Sequence, residues 1–433
     1  QWIEAECRVP LGDRELERLQ HSAAAYGRPL FPLTDMGNAE RFVANFKDVV
    51  RYCDDLGKWF CYENGKWHMD KGNRVTEFAK VSVRSILPEA AEVRAGALYR
   101  ELLSHARKSE SARSLNGIVS LAKSDPQIAV SLEAFDADPL LLNVQNGEVD
   151  LRTGELRPHS PENLCTRMAK VAYDGKAECP EFLNFLDTVT EGSRELTRYL
   201  QTLAGYCLTG LVSEQAFFII VGKGANGKST LARVMTELLG DYAMTTPAST
   251  FVLQRNESIR NDLARLKGAR LVVTSEFDHG QAMSEALLKN ITRGEKLPAR
   301  FLMGEYFEYD PIFKILSTTN HLPRVRGMDT GIWRRIQPIP FNHQVPDNQQ
   351  DKRLFDKLLL ELPGILNWAV EGCRIWQSEG LQKPECVKGT VEEYKSDMDR
   401  LSDFFDQRVE FVQSSNASTV NLYWAYKEWA GKA

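Results

Sequence analysis

The sequence lacks the features of a membrane protein, a secreted protein and a cysteine-based metal or redox protein. No apolar run approaches the roughly 18 residues that cross a bilayer, and the longest, at 217–221, has only the length of a strand. No secretory signal peptide opens the chain. The eight cysteines are scattered without a C-x-x-C pair, which excludes a zinc ribbon and a thiol redox motif. We therefore expect a cytoplasmic protein with reduced thiols and no membrane partner.

An excess of basic residues is absent as well. The 433-residue chain carries 54 Lys and Arg against 59 Asp and Glu, for a net charge of −5. This balance excludes a surface coated in positive charge, but it does not exclude nucleic acid, since a motor can confine its cations to a small channel. Hydrophobic residues make up 43% of the chain, and its length predicts two or three domains. Because the chain begins with Gln1 rather than Met, we expect a fragment or a processed product.

Strands alternate with helices in the middle of the chain, which predicts an α/β fold with a parallel sheet. The predicted strands are 217–221, 270–274 and 314–317, and the predicted helices are 194–208 and 229–239. Before them, Asn-Gly and Thr-Gly turns predict hairpins within 58–69 and 148–156. The stretch 75–130 between the hairpins is predicted to be helical, and the chain from 352 onward is helical with breaks at Pro363 and Pro384.

The segment 222–229 reads Gly-Lys-Gly-Ala-Asn-Gly-Lys-Ser, which matches the phosphate-binding pattern G-x-x-x-x-G-K-[ST] at every fixed position. The glycines let backbone N–H groups curl around a β-phosphate, Lys228 places a charge on the β- and γ-phosphates, and the Ser229 hydroxyl ligates Mg²⁺. The helix that begins there adds its positive end. We predict that ATP and Mg²⁺ bind here, with the nucleotide held by Gly222, Gly224, Ala225, Asn226, Gly227, Lys228, Ser229 and Thr230.

A carboxylate follows the next apolar strand. Glu276 comes directly after 271–275, and at the carboxyl end of a parallel strand it can hold the Mg²⁺ shell and orient an attacking water. Asp278 is a second candidate for part of that work. We therefore predict catalytic and metal roles for Glu276, shared with Ser229 at the metal.

Two further features of the sequence suit catalysis on a phosphate. Asn320 ends the strand 314–319, where a neutral amide can hydrogen-bond a γ-phosphate or its water. Arg334 and Arg335 follow an apolar anchor at 331–333, and an arginine supplied to a neighbouring subunit's nucleotide stabilises transition-state charge. Adjacent side chains cannot both face the same way, so we expect one of the two arginines to make a structural ion pair.

The order of these motifs resembles the superfamily 3 helicases. Asn320-His321-Leu322-Pro323 and the segment 327–341 are similar to the phage and plasmid primase–helicase branch, which includes the poxvirus primase–helicase. The likeness extends to 34–42 and 57–59, which look like that family's amino-terminal domain, and it runs from about Thr34 to the end of the chain. Segments 262–266 and 364–369 are similar to the family as well.

The resemblance implies an AAA+-like ATPase that assembles as a ring, expected to be a hexamer, around DNA in a central pore. In that case Glu276 is the catalytic carboxylate, Asn320 the sensor, and Arg334 or Arg335 the finger supplied in trans. A pore hairpin is implied at 299–307, but its tip reads Met-Gly-Glu where the family often has a lysine. The better candidates for contact with the phosphate backbone are then Lys289, Lys296 and Arg300. Phe301 or Tyr306 are candidates for stacking on bases.

The resemblance also predicts domains. We expect a linker at 1–33, a mainly helical α+β amino-terminal domain at 34–190, the AAA+-like domain at 191–345, a helical region at 346–410 and the start of a truncated winged-helix-like domain at 411–433. Nothing before Thr34 is long enough for the primase domain that the family often carries, so a separate primase domain or protein is an expected partner. In a phage or mobile element, the compartment is the bacterial host cytoplasm.

The sequence therefore predicts an ATP-dependent helicase or translocase of a mobile element. Two alternatives remain open. One is a nucleotide-gated ring that binds DNA at an origin with little unwinding, which the sequence separates poorly from a helicase. The other is a monomeric P-loop kinase for a small molecule, which would leave Asn320 and the paired arginines unexplained.

Overall fold

The structure, a computed structural model, divides the chain into two compact units. The first unit comprises residues up to 138 together with 158–168, and the second comprises 139–157 and 169 onward. The residues described are 29–254, 260–278, 280–300, 306–399, 404–405, 407–410, 412 and 416–431.

The first unit contains a four-stranded sheet in the order β3-β2-β1-β4. Its strands are β1 (Val50–Cys53), β2 (Lys58–Glu63), β3 (Lys66–Met69) and β4 (Ala129–Val130). The β2–β3 turn has Asn64 at φ 50° and Gly65 at φ 77°, the paired positive angles of a two-residue hairpin turn. The hairpin predicted from Asn-Gly is therefore confirmed.

Five helices of the first unit lie among its described residues, and the last four of them confirm the helical prediction for 75–130. They are α1 (Asp35–Phe46), α2 (Arg74–Arg84), α3 (Ile86–Val93), α4 (Ala97–Ser109) and α5 (Ala112–Ala122). Helices α1, α2 and α5 pack their apolar faces with one side of the sheet in a core that includes Phe42, Phe78 and Ile118. Helices α3 and α4 share a smaller apolar core around Ile86 and Leu102.

The second unit is built on a five-stranded parallel sheet in the order β14-β8-β13-β10-β9. Its strands are β8 (Phe217–Val221), β9 (Ala243–Thr246), β10 (Leu271–Thr274), β13 (Lys314–Thr319) and β14 (Ile336–Pro340). The mixed α/β architecture with a parallel sheet agrees with the prediction. Since parallel strands end at the same edge, the segments that follow β8, β10 and β13 meet there.

Helices cover both faces of this sheet. The helices among the described residues of this unit are α6 (Pro180–Val189), α7 (Arg194–Leu208), α8 (Lys228–Leu239), α9 (Asn261–Ala264), α10 (Glu285–Arg293), α11 (Thr330–Trp333), α12 (Leu354–Leu360), α13 (Leu362–Glu379), α14 (Glu385–Met398) and α15 (Thr419–Ala430). Of these, α15 has no buried residue and is not part of the covering layers. Alternate residues of a strand face opposite sides, so Phe218 and Ile220 join one core while Phe217 and Ile219 join the other. Burial on both faces explains the continuous apolar run of β8.

Two smaller sheets belong to the second unit. A meander is formed by β5 (Leu141–Val144), β6 (Gly147–Asp150) and β7 (Glu155–Arg157), and a hairpin by β11 (Leu297–Arg300) and β12 (Tyr306–Tyr309). The meander's Leu142 and Val149 are buried in the same core as β8, which is why it belongs with the parallel sheet. The structural division thus cuts through the segment 34–190 that the sequence suggests as one domain.

The described residues contain seven cysteines, none of them in a disulfide. Six are buried and Cys386 is exposed. No helix in this part of the chain is long and apolar enough to cross a membrane.

Lys314, the first residue of β13, is a buried lysine that caps the end of α7. Its side chain is 2% exposed and donates hydrogen bonds to the carbonyls of Thr209 and Leu211, with its ammonium 4.9 Å from the centre of the Tyr206 ring. Burial lowers the pKa of Lys314 to about 7. Between pH 7 and the ordinary lysine pKa, Lys314 is therefore more fully protonated in the unfolded chain than in the folded chain.

We predict that Lys314→Met changes the pH dependence of stability. Between pH 7 and 8.5 the unfolded lysine is protonated while the folded one is largely neutral, so the contribution of Lys314 to stability grows as pH rises. Relative to Lys314→Met, the unmodified chain should gain about 1–2 kcal/mol of unfolding free energy over this interval. Urea denaturation at several pH values measures it, with exposed Lys352→Met as the control. Parallel profiles for all three proteins would contradict the prediction.

Candidate nucleotide site

The glycine loop occupies the carboxyl edge of the parallel sheet, between β8 and α8. Ala225 and Gly227 have φ angles of 58° and 80°, in the region that favours glycine. A Cβ on Gly227 would lie 2.7 Å from side-chain atoms of both Phe185 and Val189 on α6. Only glycine fits at this position, because both the backbone angle and the approach of α6 exclude a side chain.

Lys228 begins α8 and turns its side chain back into the loop. It is 4% exposed, and its Nζ donates to Gly222 O at 2.6 Å, to Asn226 Oδ1 at 2.8 Å and to Asn320 Oδ1 at 3.1 Å. These contacts use all three donors of the ammonium. Burial lowers the pKa of Lys228, and the nearby Glu276 carboxylate partly opposes that shift. Phosphate oxygens would replace some of these acceptors when a nucleotide binds.

Asn320 connects Lys228 to Glu276. Its Oδ1 accepts from Lys228, and its Nδ2 donates to Glu276 Oε1 at 3.1 Å and Oε2 at 3.2 Å. The connection follows from strand order, since β13 lies between β8 and β10 and Asn320, the residue after β13, therefore falls between the loop and the acid. The structure thus brings together an ammonium, an amide and a carboxylate that are separated widely in sequence.

The other residues predicted at this edge are placed as follows. Ser229 and Thr230 lie in the first turn of α8, where Ser229 is exposed. Asp278 is exposed and accepts a hydrogen bond from Gln281 Nε2 at 2.6 Å. Glu276 is therefore hydrogen-bonded into the group formed with Lys228 and Asn320 at the sheet edge, whereas Asp278 is bonded to Gln281 instead.

Asn226 fastens the glycine loop to the end of β14. The Asn226 side chain is buried, and while its Oδ1 accepts from Lys228, its Nδ2 donates to Phe341 O at 2.8 Å. A Cβ on Gly222 would lie 2.1 Å from the same carbonyl. Val345 N donates to Ala225 O at 2.9 Å. The segment 341–345 therefore runs along the loop and holds its shape.

We predict that Asn226→Ala raises the KM for ATP about tenfold and leaves kcat within about threefold, because it loosens the loop before the nucleotide binds. The substitution removes one partner of Lys228 and leaves the Phe341 carbonyl unsatisfied, at a cost of about 1–3 kcal/mol. Steady-state ATPase kinetics give both constants, and Asn226→Ser, which keeps a hydroxyl, should recover part of the affinity. A fall in kcat with an unchanged KM would contradict this role.

The two adjacent arginines have different environments. Arg335 is 1% exposed, and its guanidinium donates to Thr292 Oγ1 at 3.0 Å, to the Gly331 carbonyl and to Gln215 Oε1 at 3.2 Å. Arg334 is exposed and donates to Gln215 Oε1 at 2.8 Å. Arg335 is thus held by hydrogen bonds within its own subunit, and Arg334 is the arginine that faces outward.

Both arginines lie far from the subunit's own glycine loop. They precede β14, which runs parallel to β8 with Ile336 opposite Phe217 and Pro340 opposite Val221. Arg334 therefore lies beyond the amino end of the sheet, while the loop follows its carboxyl end. At about 3.3 Å per residue, the strand separates them by roughly 15–20 Å.

The predicted nucleic-acid contacts lie on and near the β11–β12 hairpin. Arg300 pairs with Tyr306 in the hairpin and is half-buried, and Lys296 is exposed just before β11. Lys289 on α10 makes an ion pair with Asp329 at 3.0 Å. The predicted tip, including Phe301, lies outside the described residues, as does the side chain of Tyr306.

Sequence reasoning missed the partners that hold these residues. Gln215 accepts from both arginines across about 120 positions, and Phe341 meets Asn226 across 115. Neither pair has a spacing that marks it in the sequence. One feature of the sequence could have pointed to the segment 341–345 as a neighbour of the loop, because this segment directly follows the last strand of the sheet.

Comparison with known protein families matches two parts of the chain. The model described as D5 N terminal like matches residues 39–191, and a family of unknown function, DUF5906, matches residues 220–335. The first match covers nearly all of 34–190, the amino-terminal domain predicted from the sequence. The second contains the loop, Glu276, Asn320 and both arginines.

Curated relatives come from viruses. "Putative helicase L207/L206" of Acanthamoeba polyphaga mimivirus is 27% identical over 322 residues, covering 69% of this chain and 34% of the relative. "Putative primase C962R" of African swine fever virus (isolate Tick/Malawi/Lil 20-1/1983) is 24% identical over 330 residues, with the same two coverages. The chain spans about a third of the length of these relatives.

Solved structures show a similar fold. The apo structure of the NrS-1 C terminal region (305–718) in its A form superimposes with a TM-score of 0.52 at 14% identity, covering 90% of this chain and 86% of that one. A second A-form apo structure of the same region gives a TM-score of 0.51 at 12% identity, covering 89% of this chain and 83% of that one. At these identities the likeness concerns the fold.

Proposed function

We propose that this chain, which belongs to the D5-like primase–helicase family, is an ATP-driven replication helicase that works as a ring on DNA. The observation that carries the proposal is the hydrogen-bonded series from Lys228 through Asn320 to Glu276 at the edge of the parallel sheet. It joins a phosphate-binding cation, a neutral amide and a carboxylate, the groups that ATP hydrolysis requires.

The donor set fits Mg²⁺ bound together with a nucleotide. Among the described residues, no group of three or more His, Cys, Asp or Glu side chains could hold a metal alone. Mg²⁺ is usually held by one or two protein oxygens plus phosphates and water, and Ser229 and Glu276 would supply those oxygens here. The bound ion would neutralise charge on the transferring phosphoryl group.

Each side chain then has a defined part in hydrolysis. Lys228 exchanges protein acceptors for phosphate oxygens, which fixes the β- and γ-phosphates on the loop. Glu276 orients the attacking water, and Asn320 donates to the γ-phosphate or to that water. Because Asn320 touches both other side chains in the structure, occupancy by phosphate changes all three positions together.

We assign the finger to Arg334 and place it at the neighbouring subunit's nucleotide. The side chain is exposed, whereas Arg335 is buried, and the length of β14 separates Arg334 from its own loop. A head-to-tail arrangement of copies brings opposite edges of two sheets together, and such an interface closes into a ring when the rotation allows. The resemblance to superfamily 3 helicases leads us to propose six subunits. The proposal includes DNA contacts by Lys296 and Arg300.

Strand displacement tests the proposed function. We expect ATP and Mg²⁺ to support release of one strand from a forked DNA with two single-stranded tails, and Lys228→Ala to release none. ATP-dependent binding without strand release would contradict a helicase and favour a nucleotide-gated DNA-binding ring. ATP-dependent phosphorylation of a metabolite without any response to DNA would favour a kinase.

A further inference from the structure

The outer face of α4 in the first unit carries an open groove with cationic walls. The groove has a volume of about 610 Å³. Among the described residues that line it, Leu33 is the one large apolar side chain, and the others are polar or small. The lining residues of α4 are Ala97, Arg100, Glu101, Ser104, His105 and Lys108.

The cations of this face are not used by the fold. Arg100 and Lys108 are exposed, as is Arg107 beside them, and within the described part of the chain their side chains make no hydrogen bond or ion pair. Arg94 and Arg113, which flank the helix in sequence, are exposed and unpaired in the same part. By contrast, the Arg41 guanidinium of the same unit is paired with the Glu89 carboxylate at 2.6 Å.

A buried polar network holds the floor of the groove in place. His105 Nε2 donates to Asn38 Oδ1 at 2.9 Å, and Asn38 Nδ2 donates to Ser109 Oγ at 2.8 Å. Asn38 and Ser109 are 1% and 2% exposed, so the network fixes α4 against α1. Burial, with Arg41 nearby, lowers the pKa of His105, so its ring is neutral at pH 7 and the charge of the groove comes from Arg100 and Lys108.

The spacing of these cations suits an extended polyanion. Arg100 and Lys108 are eight residues apart on one face of the helix, which corresponds to about 12 Å along its axis. A nucleic-acid strand carries one phosphate per 3.4 Å of stacked length, so this distance spans about three to four phosphates. The open shape and the scarcity of apolar lining disfavour both a small enclosed ligand and an apolar protein partner.

We propose that the α4 groove binds the phosphate backbone of single-stranded nucleic acid through Arg100 and Lys108, as a site separate from the β11–β12 hairpin. The inference rests on the proposed function, since it presumes that the protein works on nucleic acid. Glu101 lies between the two cations and repels phosphate. This repulsion weakens the binding, which suits a strand that moves through the groove. The contacts are to phosphate and carry no sequence preference.

Salt-dependent binding tests this site in the full chain. The probe is a fluorescent oligothymidylate of about 20 nucleotides, longer than one module's site, followed by anisotropy at several salt concentrations. Arg100→Gln with Lys108→Gln should weaken binding on the order of tenfold and reduce the slope of log K against log salt by about 1.4, or 0.7 for each lost contact. Lys58→Gln with Lys71→Gln removes two exposed cations of the same unit and should change neither.

A second variant should change the affinity for the oligothymidylate in the opposite direction. Glu101→Gln removes the only acid among the described residues that line the groove, so it should strengthen binding by about two- to threefold. Stronger binding by Glu101→Gln together with weaker binding by the variant that carries both Arg100→Gln and Lys108→Gln is specific to the groove, because general damage to the fold can only weaken binding. ATP turnover without DNA should stay unchanged in all of these variants.

The outcomes separate this site from the proposed function. If the unmodified chain binds and unwinds DNA while the two double variants behave alike, the α4 site is wrong and the helicase proposal stands. If the unmodified chain binds no oligothymidylate, both are wrong. If polyglutamate at equal charge displaces the strand as well as unlabelled oligothymidylate does, the groove serves an acidic protein segment, and the nucleic-acid assignment is overturned.

Discussion

Lys228→Ala should lower ATP turnover by at least about 10³-fold, since it removes the cation that we propose binds the transferring phosphates. In the structure Lys228 is the hub of the site, joined to Gly222, Asn226 and Asn320 at 2.6–3.1 Å. The same substitution leaves those acceptors without their donor, so affinity for ATP should fall as well. Steady-state ATPase assays and equilibrium nucleotide binding measure the two effects.

The glycine loop itself offers a matched control. Lys223 is an exposed lysine in the same loop, and Lys223→Ala should keep turnover within about threefold of the unmodified chain, as expected for an exposed side chain that is not part of the Lys228–Asn320–Glu276 series. Near-normal hydrolysis by Lys228→Ala would reject the nucleotide site. Equal loss in both variants would mean that the loop tolerates no change, and that the effect is not specific to Lys228.

Arg334→Ala should lower kcat by about 10³- to 10⁵-fold, the range known for arginine fingers, and leave the KM for ATP within a few-fold. The reason is that a finger stabilises charge that develops only in the transition state. Arg334→Lys should recover little, because an ammonium cannot make the two-pronged contact of a guanidinium. Kinetics with and without single-stranded DNA measure both constants.

Arg335 provides the contrast. Its side chain is buried and donates to Thr292, Gly331 and Gln215, so Arg335→Ala should lower the unfolding midpoint and lose activity through instability. Arg334→Ala should melt like the unmodified chain. A folded, normally active Arg334→Ala protein would end the assignment of the finger.

Features set by neighbouring residues could be predicted from the sequence. The loop 222–229, the Asn64-Gly65 turn and the apolar run of β8 each have a local physical cause, and each lies in the predicted place. Helix α7 has its predicted bounds at Arg194–Leu208, since an amphipathic repeat and an N-cap serine define it. The parallel sheet followed from the alternation of strands and helices.

Features set by distant contacts could not be predicted. The choice between Arg334 and Arg335 depends on which side chain packs against α10 and Gln215, and adjacent positions give no clue to it. Asn226 was predicted only as one of several loop residues, because its bond to Phe341 joins positions 115 apart. The meander at 141–157 joined the second unit through burial of Leu142 and Val149, a tertiary effect without a local signal.

Mixing two inactive variants shows whether ATP is hydrolysed between two copies of the chain, as we propose. Lys228→Ala supplies an intact Arg334 but no working loop, and Arg334→Ala supplies the reverse. In a head-to-tail ring mixed at equal amounts, about a quarter of the interfaces combine an intact loop with an intact finger. We predict that ATP turnover recovers to as much as that fraction of normal turnover. If co-purification of tagged and untagged subunits shows mixed assemblies and turnover stays at the level of the separate variants, hydrolysis does not take place between subunits.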